Sequence, residues 1–451
     1  KDGGSNITAL TLDMSDAGAA TFNSNITIGS TSAGGSLILF DNGQILLYNA
    51  NDDKRYRIRN SGSAANTLVF EANDNSDILT LDESGNATFS GTINGIPFYS
   101  DAANSSMYTH DVSGTDDTAQ YNTAYGFGAM DAITTGDFNT AVGLNAGTSL
   151  NTGSQNTLIG SSSGDSITTG SYNIAIGSGA LQTEDTGSGS VAIGRQSLST
   201  QNYAGGAYNV AVGYQAGKSV TTGIENTIIG GLAGDALTEG VRNVAIGYGA
   251  LSAENGHGKN VAVGYFSLLN QDAGADAYNV AVGYSSGAAI TTGVQNVLLG
   301  GQAGDALTSA NNNVAIGYNA MGSEDTGDGS TAVGHSALAA MNYDGYAHNT
   351  AIGYHAGKSV TTGIQNTILG GLAGDALTTG SYNVALGYAA LSAEDDHGRN
   401  IAIGYSALHA LNAGADAYNI GIGHSAGASI TTAIEDVVIG GLAGNSLTTG
   451  G

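Results

Sequence analysis

The sequence contains no cysteine and no tryptophan, and Pro97 is its single proline. Without cysteine, a disulfide-stabilised scaffold is excluded, and the redox compartment stays open. The scarcity of proline suits a chain made mostly of strands and tight turns. No apolar run approaches the roughly 18–20 residues that a membrane-spanning helix needs. These absences favour a β-rich protein that does not insert into a membrane.

Basic residues are also scarce, with 11 Lys and Arg against 38 Asp and Glu and a formal net charge of −27. This balance disfavours DNA, RNA and anionic membrane surfaces as partners, because few side chains could neutralise phosphates. It favours solubility and mutual repulsion between particles. The sequence has neither a signal peptide nor an initiator methionine, so we expect a fragment or a processed chain.

The dominant feature is a repeated frame, Asn-Val-Ala-Ile-Gly-Tyr at 243–248. Its first residues are Asn122, Asn139, Asn156, Asn173, Ser190, Asn209, Asn226, Asn243, Asn260, Asn279, Asn296, Asn313, Ser330, Asn349, Asn366, Asn383, Asn400, Asn419 and Asp436. The period is 17 except for four steps of 19, so the unit is a 70-residue block of 17+17+17+19. A fixed period of this size predicts a solenoid.

Three regions follow from this pattern. Residues 1–98 lack the frame, and short alternating runs at 36–41, 44–48, 55–59, 67–71 and 78–81 predict a small antiparallel β domain. The basic run 54–59 is interpreted as a solvated strand face, with a docking patch as the alternative. Residues 99–121 are a linker or an irregular first coil, and residues 122–451 are the β-solenoid repeat shaft.

Within each coil, the period of two places Val, Ile and Tyr on one side and Ala and Gly on the other. The glycine at position 5 occurs in all nineteen coils, as at Gly143, Gly213, Gly283, Gly353 and Gly423, which predicts positive φ or a close backbone approach. We expect the Ala/Gly face to pack closely between identical chains.

Two further features follow the 70-residue block. Position 9 runs Gly, Gly, Leu-like, Leu-like, which defines Gly-type and Leu-type coils. The two extra residues of each long coil should bulge outward, because a stacked core cannot absorb them.

The frame resembles the head repeats of trimeric autotransporter adhesins. The longer form at 349–356, with its Thr-Thr-Gly turns, and the run at 79–93 resemble bacteriophage tail fibres still more. The resemblance implies a homotrimer of left-handed parallel β-rolls in a virion tail or another extracellular fibre. It also implies other virion tail proteins and a host cell-surface glycan or protein as partners. The period of 17 and 19 departs from the shorter adhesin coil.

Aromatic residues after the constant glycine are candidates for either a stacking ladder or a glycan-contact strip. They are Tyr214, Tyr248, Tyr265, Tyr284, Tyr318, Tyr354, Tyr388 and Tyr405. The ladder is the favoured interpretation, because stacked aromatics at β spacing stabilise each other.

Other constellations are weaker. Acidic turns at 324–329 and 394–397 offer oxygen ligands for Ca²⁺ but match no complete loop, and the histidines show no metal spacing. Asp165, Asp235, Asp305 and Asp375 recur once in each block and are interpreted as turn or cap residues. Gly-x-Ser-x-Gly at 160–164, 283–287 and 423–427 falls where other coils lack Ser, so we predict no enzyme, cofactor or metal ligand.

The sequence favours a structural and adhesive fibre, the shaft of a trimeric phage tail fibre involved in host attachment. The alternative is the head domain of a bacterial trimeric adhesin. A remote third is an ice- or mineral-binding solenoid, since Thr pairs recur at 168–169, 221–222 and 291–292. Leu-type coils lack these pairs, so no flat threonine array forms.

Overall fold

A computed structural model describes residues 44–48, 55–60, 68–71, 77–81, 87–89, 92–93, 96–97, 99–101, 106–108 and 118–449. The chain divides into two compact units, Lys1–Gly95 and Ile96–Gly451. Each unit is described by itself.

The first unit contains an antiparallel sheet in which neighbouring strands follow one another along the chain. Its strands are β1 (Gln44–Tyr48), β2 (Arg55–Asn60), β3 (Leu68–Glu71), β4 (Asp77–Leu81) and β5 (Ala87–Phe89), followed by β6 (Thr92–Ile93). Four of the five predicted runs coincide with strands to within a residue at each end. The fifth, 36–41, lies outside the described residues. The predicted small antiparallel sheet is confirmed.

The second unit opens with β7 (Ile96–Pro97), β8 (Tyr99–Asp101) and β9 (Ser106–Tyr108). Strand β9 pairs antiparallel with β8, and Met107 lies opposite Thr123 in a parallel bridge to the first coil. Tyr108 is buried. The parallel ladder therefore already starts at β9, ahead of the first coil of the frame.

Nineteen three-residue strands continue this ladder, one in each coil. They are β10 (Thr123–Tyr125), β11 (Thr140–Val142), β12 (Thr157–Ile159), β13 (Ile174–Ile176), β14 (Val191–Ile193), β15 (Val210–Val212), β16 (Thr227–Ile229), β17 (Val244–Ile246), β18 (Val261–Val263), β19 (Val280–Val282), β20 (Val297–Leu299), β21 (Val314–Ile316), β22 (Thr331–Val333), β23 (Thr350–Ile352), β24 (Thr367–Leu369), β25 (Val384–Leu386), β26 (Ile401–Ile403), β27 (Ile420–Ile422) and β28 (Val437–Ile439). Each strand pairs in parallel with the next, and no helix occurs among the described residues. The protein is an all-β parallel solenoid of about nineteen turns.

The long coils do not disturb the ladder. Val261 pairs with Val280 across a long coil, just as Val244 pairs with Val261 across a short one. The extra residues lie in loops before the next Asn, and the loop tips Ala204, Gly274, Asp344 and Gly414 are exposed. The predicted outward placement of the insertions is confirmed.

The constant glycine ends each strand because two backbones meet there. Its φ lies between 121° and 144° in all nineteen coils, a region that only glycine occupies readily. A Cβ on Gly247 would lie 2.4 Å from the carbonyl oxygen of Gly264 in the next coil. Both predicted reasons for this glycine are confirmed.

Position 9 adopts a left-handed backbone in both coil types, with φ of 57° at Gly217 and 53° at Leu251. The two types fill the interior differently. A Cβ on Gly217 would meet the Ile228 side chain at 2.9 Å, so Ile228 occupies the space that leucine fills elsewhere. Where position 9 is Leu251, the strand contributes only Ala245, and both side chains are buried.

A buried ladder of asparagines joins the coils and was not predicted. The backbone N–H of Asn226 donates to Oδ1 of Asn209 at 2.9 Å. Nδ2 of Asn226 donates to the carbonyl oxygen of Gly240 at 2.8 Å, which closes the turn of the same coil. The asparagine thus satisfies polar backbone groups that would otherwise be buried without partners.

The core lies inside each coil, and this corrects one expectation. Strand alanines such as Ala245 and Ala262 are fully buried within a single chain. The prediction that the Ala/Gly face packs against another chain is wrong. That face is the narrow interior of the solenoid, and the Val/Ile face points outward.

Candidate functional site

The outward strand face forms a continuous apolar stripe along the solenoid. Positions 2 and 4 of the coil supply it, as Val244 and Ile246 do on either side of buried Ala245. Several members are more than one-third exposed: Ile159, Ile174, Ile229, Val282, Ile352, Leu369 and Leu386. Position 2 is threonine in seven coils, but position 4 carries an aliphatic residue in every coil from Val142 onward. A long stripe of partly exposed aliphatic side chains is typical of an interaction surface.

The eight predicted tyrosines lie beside this stripe, with 44–60% of each residue exposed. The rings stack along the solenoid axis at coil spacing. Ring centroids are 5.5 Å apart for Tyr248 and Tyr265, 5.7 Å for Tyr265 and Tyr284, and 5.5 Å for Tyr388 and Tyr405. The structure thus brings most of the predicted aromatic residues into ladders.

Glycines break the aromatic column into separate runs. The runs are Tyr248–Tyr265–Tyr284, Tyr318–His335–Tyr354 and Tyr388–Tyr405–His424. They are separated by Gly301 and Gly371, and Gly231 separates the first run from Tyr214. Tyr214 instead pairs with Arg195, whose guanidinium carbon lies 5.8 Å from the ring centroid.

Stacking decides how much ring face is available to a ligand. Sugars bind aromatic residues through the ring face, and within a run each face is covered by the next ring. Faces open only beside the interrupting glycines, where a Cβ on Gly231 would lie 3.4 Å from Tyr248 Cδ2. The geometry therefore favours the stacking ladder over a continuous glycan strip.

A second surface column, directly before the asparagines, was missed from the sequence. Its exposed aromatic members are Tyr121, Phe138, Tyr172, Tyr208, Tyr278, Tyr382 and Tyr418. Each of these seven residues has a φ of 51–61°. These residues always directly precede the constant Asn, and this spacing is the sequence signal that could have identified the column.

Charged residues occupy the same position in several other coils and are largely paired. Arg242 Nε lies 2.6 Å from Glu225 Oε2. The Arg399 guanidinium lies 5.2 and 5.4 Å from the ring centroids of Tyr382 and Tyr418. Surface ion pairs of this kind contribute little stability. They do neutralise the few basic side chains locally.

The left-handed backbone of the Gly-x-Ser-x-Gly segments is a feature of the repeat rather than of the serine. Ser162, Ser285 and Ser425 have φ of 52–54°, as a nucleophile elbow would require. Gln215 and Leu232 occupy the same position with φ of 56°. The left-handed turn therefore belongs to every coil, whether or not a serine is present.

The recurring aspartates link neighbouring coils. Asp235 and Asp375 accept hydrogen bonds from Ser252 and Ser392 in the next coil, at 2.5 and 2.7 Å. Asp305 faces a coil with glycine at that place, and its buried Oδ1 has no hydrogen-bond partner in the described part of the chain. Burial raises the pKa of the Asp305 carboxyl.

One glutamate in each block is fully buried at position 12, which is mostly aliphatic in Gly-type coils. These residues are Glu184, Glu254, Glu324 and Glu394. Desolvation raises the pKa of each carboxyl, for Glu254 to about 7. A charged residue recurring once per block in an apolar position was the signal, which we missed in the sequence.

Two of these glutamates lie beside histidines. Donor atoms of Glu254, His257 and Asp272 lie within 4.8 Å of one another, and so do those of Glu394, Asp395 and His397. In both turns the histidine follows the buried glutamate by three residues, a spacing that we overlooked in the sequence.

Comparisons of the chain with protein-family models, curated proteins and solved structures found no match. Within the described residues, no helix has the length and apolar character to cross a membrane.

Proposed function

We propose that this protein is the shaft of a homotrimeric structural and adhesive fibre of the kind that bacteriophages use for host attachment. The observation that supports this proposal most is the outward apolar stripe, which follows an unbroken parallel ladder through nineteen coils.

The ladder is suited to a mechanical role. Strands in neighbouring coils lie about 4.8 Å apart, so nineteen coils extend roughly 90 Å. Each coil is joined to the next by strand pairing and by the buried asparagines. Because every coil contacts only its neighbours, length is set by repeat number. A rigid spacer is a direct use of this architecture.

The stripe favours another copy of the same chain as its partner. A surface that repeats at the rise of a parallel ladder is matched along its whole length by a second ladder with the same rise. The chain has a net charge of −27, but no charged residue occupies position 2 or 4 of a coil. The stripe itself is therefore uncharged. The number three and the left-handed coil come from the resemblance to adhesin heads and tail fibres.

Contact with a host glycan or protein then falls to surfaces outside the stripe. In this proposal, the ring faces beside Gly231, Gly301 and Gly371 and the exposed insertion loops are the parts available for recognition.

Mass photometry of the purified chain tests the assembly, with three chains per particle as the expected result. The variant Ile229→Lys/Ile352→Lys/Leu369→Lys places charges on the stripe and should shift the particles to single chains. Thr222→Lys/Thr292→Lys/Thr362→Lys adds the same charges at exposed positions off the strand, and it should stay trimeric. A folded single chain of the unmodified protein at micromolar concentration would contradict the proposal.

A further inference from the structure

Four equivalent turns, one in each block, allow an internal comparison. Each contains a fully buried glutamate at position 12 and is closed at position 15 by Gly187, His257, Gly327 or His397. Glycine and histidine therefore alternate at this place from one block to the next.

In the two glycine turns the carboxylate is fully engaged. Glu184 Oε1 accepts the N–H of Gly187 at 2.8 Å, and its Oε2 accepts Nε2 of Gln201 at 2.9 Å. Glu324 Oε1 accepts the N–H of Gly327 at 2.7 Å, and its Oε2 accepts the more distant N–H of Tyr343 at 3.4 Å. The buried glutamate in these turns acts as a cap for its own backbone.

In the two histidine turns the carboxylate is only half engaged. Oε1 of Glu254 and of Glu394 accepts the N–H of the following histidine at 3.2 Å. Oε2 of each glutamate is buried and has no hydrogen-bond partner among the residues that the structure describes. The same is true of Nδ1 in both His257 and His397. Buried polar atoms without partners are costly, so a missing ligand is a physical explanation for the pair.

The imidazole and the carboxylate of each pair approach each other at distances that suit an ion. Nδ1 lies 3.8 Å from Glu254 Oε1 in one turn and 3.5 Å from Glu394 Oε1 in the other. Two ligands bound at about 2.0–2.1 Å to a tetrahedral ion lie roughly 3.3 Å apart. A small side-chain rotation would bring either pair to this geometry.

Each cluster also contains one aspartate, supplied from a different place. In the first cluster it is Asp272, on the insertion loop of the next coil, and Asn255 follows the glutamate. In the second cluster it is Asp395, directly after the glutamate, and Asn412 occupies the loop position. The donor set of Glu, His and Asp is the same in both.

We propose that the turns 254–257 and 394–397 each bind a divalent transition-metal ion of the Zn²⁺ class. The ligands are the buried glutamate, Nδ1 of the histidine and the neighbouring aspartate, with water as the fourth. An imidazole among the donors favours Zn²⁺ over Ca²⁺, which prefers a shell of oxygen ligands.

The surrounding repeat holds the histidines in place. The carbonyl oxygens of His257 and His397 accept Nδ2 of Asn243 and Asn383, at 3.1 and 3.2 Å. The two imidazole side chains are 33% and 28% exposed, which gives an ion a path from solvent to an otherwise buried carboxylate.

Titration of the full-length chain with ZnCl₂ tests the proposal by calorimetry, and CoCl₂ absorption spectra report the coordination. The unmodified protein should bind two ions per chain. His257→Gly and His397→Gly should each weaken one of the two sites at least tenfold, and the double variant should weaken both. These substitutions install the residue present in the sister turns, so the fold should be kept. Thermal unfolding in chelator checks this.

His335→Tyr/His424→Tyr is the matched control. It removes two histidines from the aromatic ladder, installs the residue that other coils carry there, and should leave two sites. Zinc should raise the unfolding temperature of the control and the unmodified chain but not of the double glycine variant. Equal uptake by the double glycine variant and the unmodified chain, or no stoichiometric uptake by either, would overturn the proposal.

Discussion

Gly-type and Leu-type coils share one backbone path but fill it with different side chains. Both carry the position 5 glycine, the strand and a left-handed position 9. In the Gly-type coil at Asn226, Ile228 and the position 12 residue Leu237 supply the bulk of the core. In the Asn243 coil, Leu251 supplies it from position 9, and position 12 carries Glu254. Core volume can thus move between positions, and this freedom is what lets a carboxylate enter the interior.

The largest effect should fall equally on both types. Gly230→Ala and Gly247→Ala place a methyl group 2.4 Å from a carbonyl oxygen of the next coil, at φ of 136° and 129°. Backbone strain alone should cost about 1–3 kcal/mol in each, and the close contact with the carbonyl oxygen adds to this. Chemical denaturation of the full chain measures both variants. A clear difference between them would contradict a common ladder.

The next effect should separate the types. Ile228→Ala and Leu251→Ala each empty a buried site and should cost about 2–5 kcal/mol. Replacement by glycine instead of alanine should have opposite effects at the two positions. Ile228→Gly should be less stable than Ile228→Ala, because strand glycine costs conformational entropy. Leu251→Gly should be at least as stable as Leu251→Ala, because φ there is 53° and glycine relieves roughly 1 kcal/mol of strain. Unfolding free energies of the four variants test these opposite effects.

The buried glutamates of the Leu-type coils should make stability depend on pH. Burial raises the pKa of the Glu184 and Glu324 carboxyls, and Asp325 adds to the rise at Glu324. The folded chain therefore holds protons that the unfolded chain releases, so stability falls as pH rises from the unfolded pKa through the raised folded pKa. A tenfold difference in proton affinity between the two states corresponds to about 1.4 kcal/mol.

Glu184→Gln/Glu324→Gln should weaken this dependence above pH 4.5, since glutamine does not titrate and still accepts from the turn N–H, while Glu254 and Glu394 keep their contribution. Glu239→Gln/Glu435→Gln changes the net charge equally at exposed positions and is the control. Unfolding temperatures measured across this pH range test the prediction. An unchanged pH dependence in the first variant would show that the buried carboxyls do not control the effect.

The smallest effect should be a gain. Asp305 lacks the serine partner that Asp235 and Asp375 have, because the facing residue is Gly322. A Cβ on Gly322 would meet the flexible end of Asn319 at 2.0 Å. Asn319→Gly/Gly322→Ser copies the arrangement of the Asn243 coil and should add about 0.5–1.5 kcal/mol. Gly322→Ser alone should add less, which thermal unfolding of both variants can establish.

Most of the solenoid could be predicted because its determinants are local and repeat. The frame marked every strand, the position 5 glycines marked where backbones meet, and position 9 separated the two coil types. The exposed insertions followed from the same count. Nearest-neighbour stacking means that one correct coil predicts the others.

The candidate sites depended on contacts that spacing does not show. Alternation along Val244, Ala245 and Ile246 defines two faces, but it does not say which one is inside. A coil this short encloses so little space that alanines and one or two larger side chains fill it, and this leaves the valine and isoleucine of positions 2 and 4 outside. The apolar stripe is therefore a consequence of coil width.

The sequence by itself determined the period, the parallel ladder, the coil types and the place of each tyrosine, since these follow from residue identity at fixed intervals. Only the tertiary structure decided that Asn226 ties two coils together, that Glu254 is buried beside His257, and that tyrosine faces cover one another. Those outcomes depend on atoms brought together from neighbouring coils or across one turn, and a hydrogen bond or an ion site is defined by distances between atoms that sequence separation does not encode.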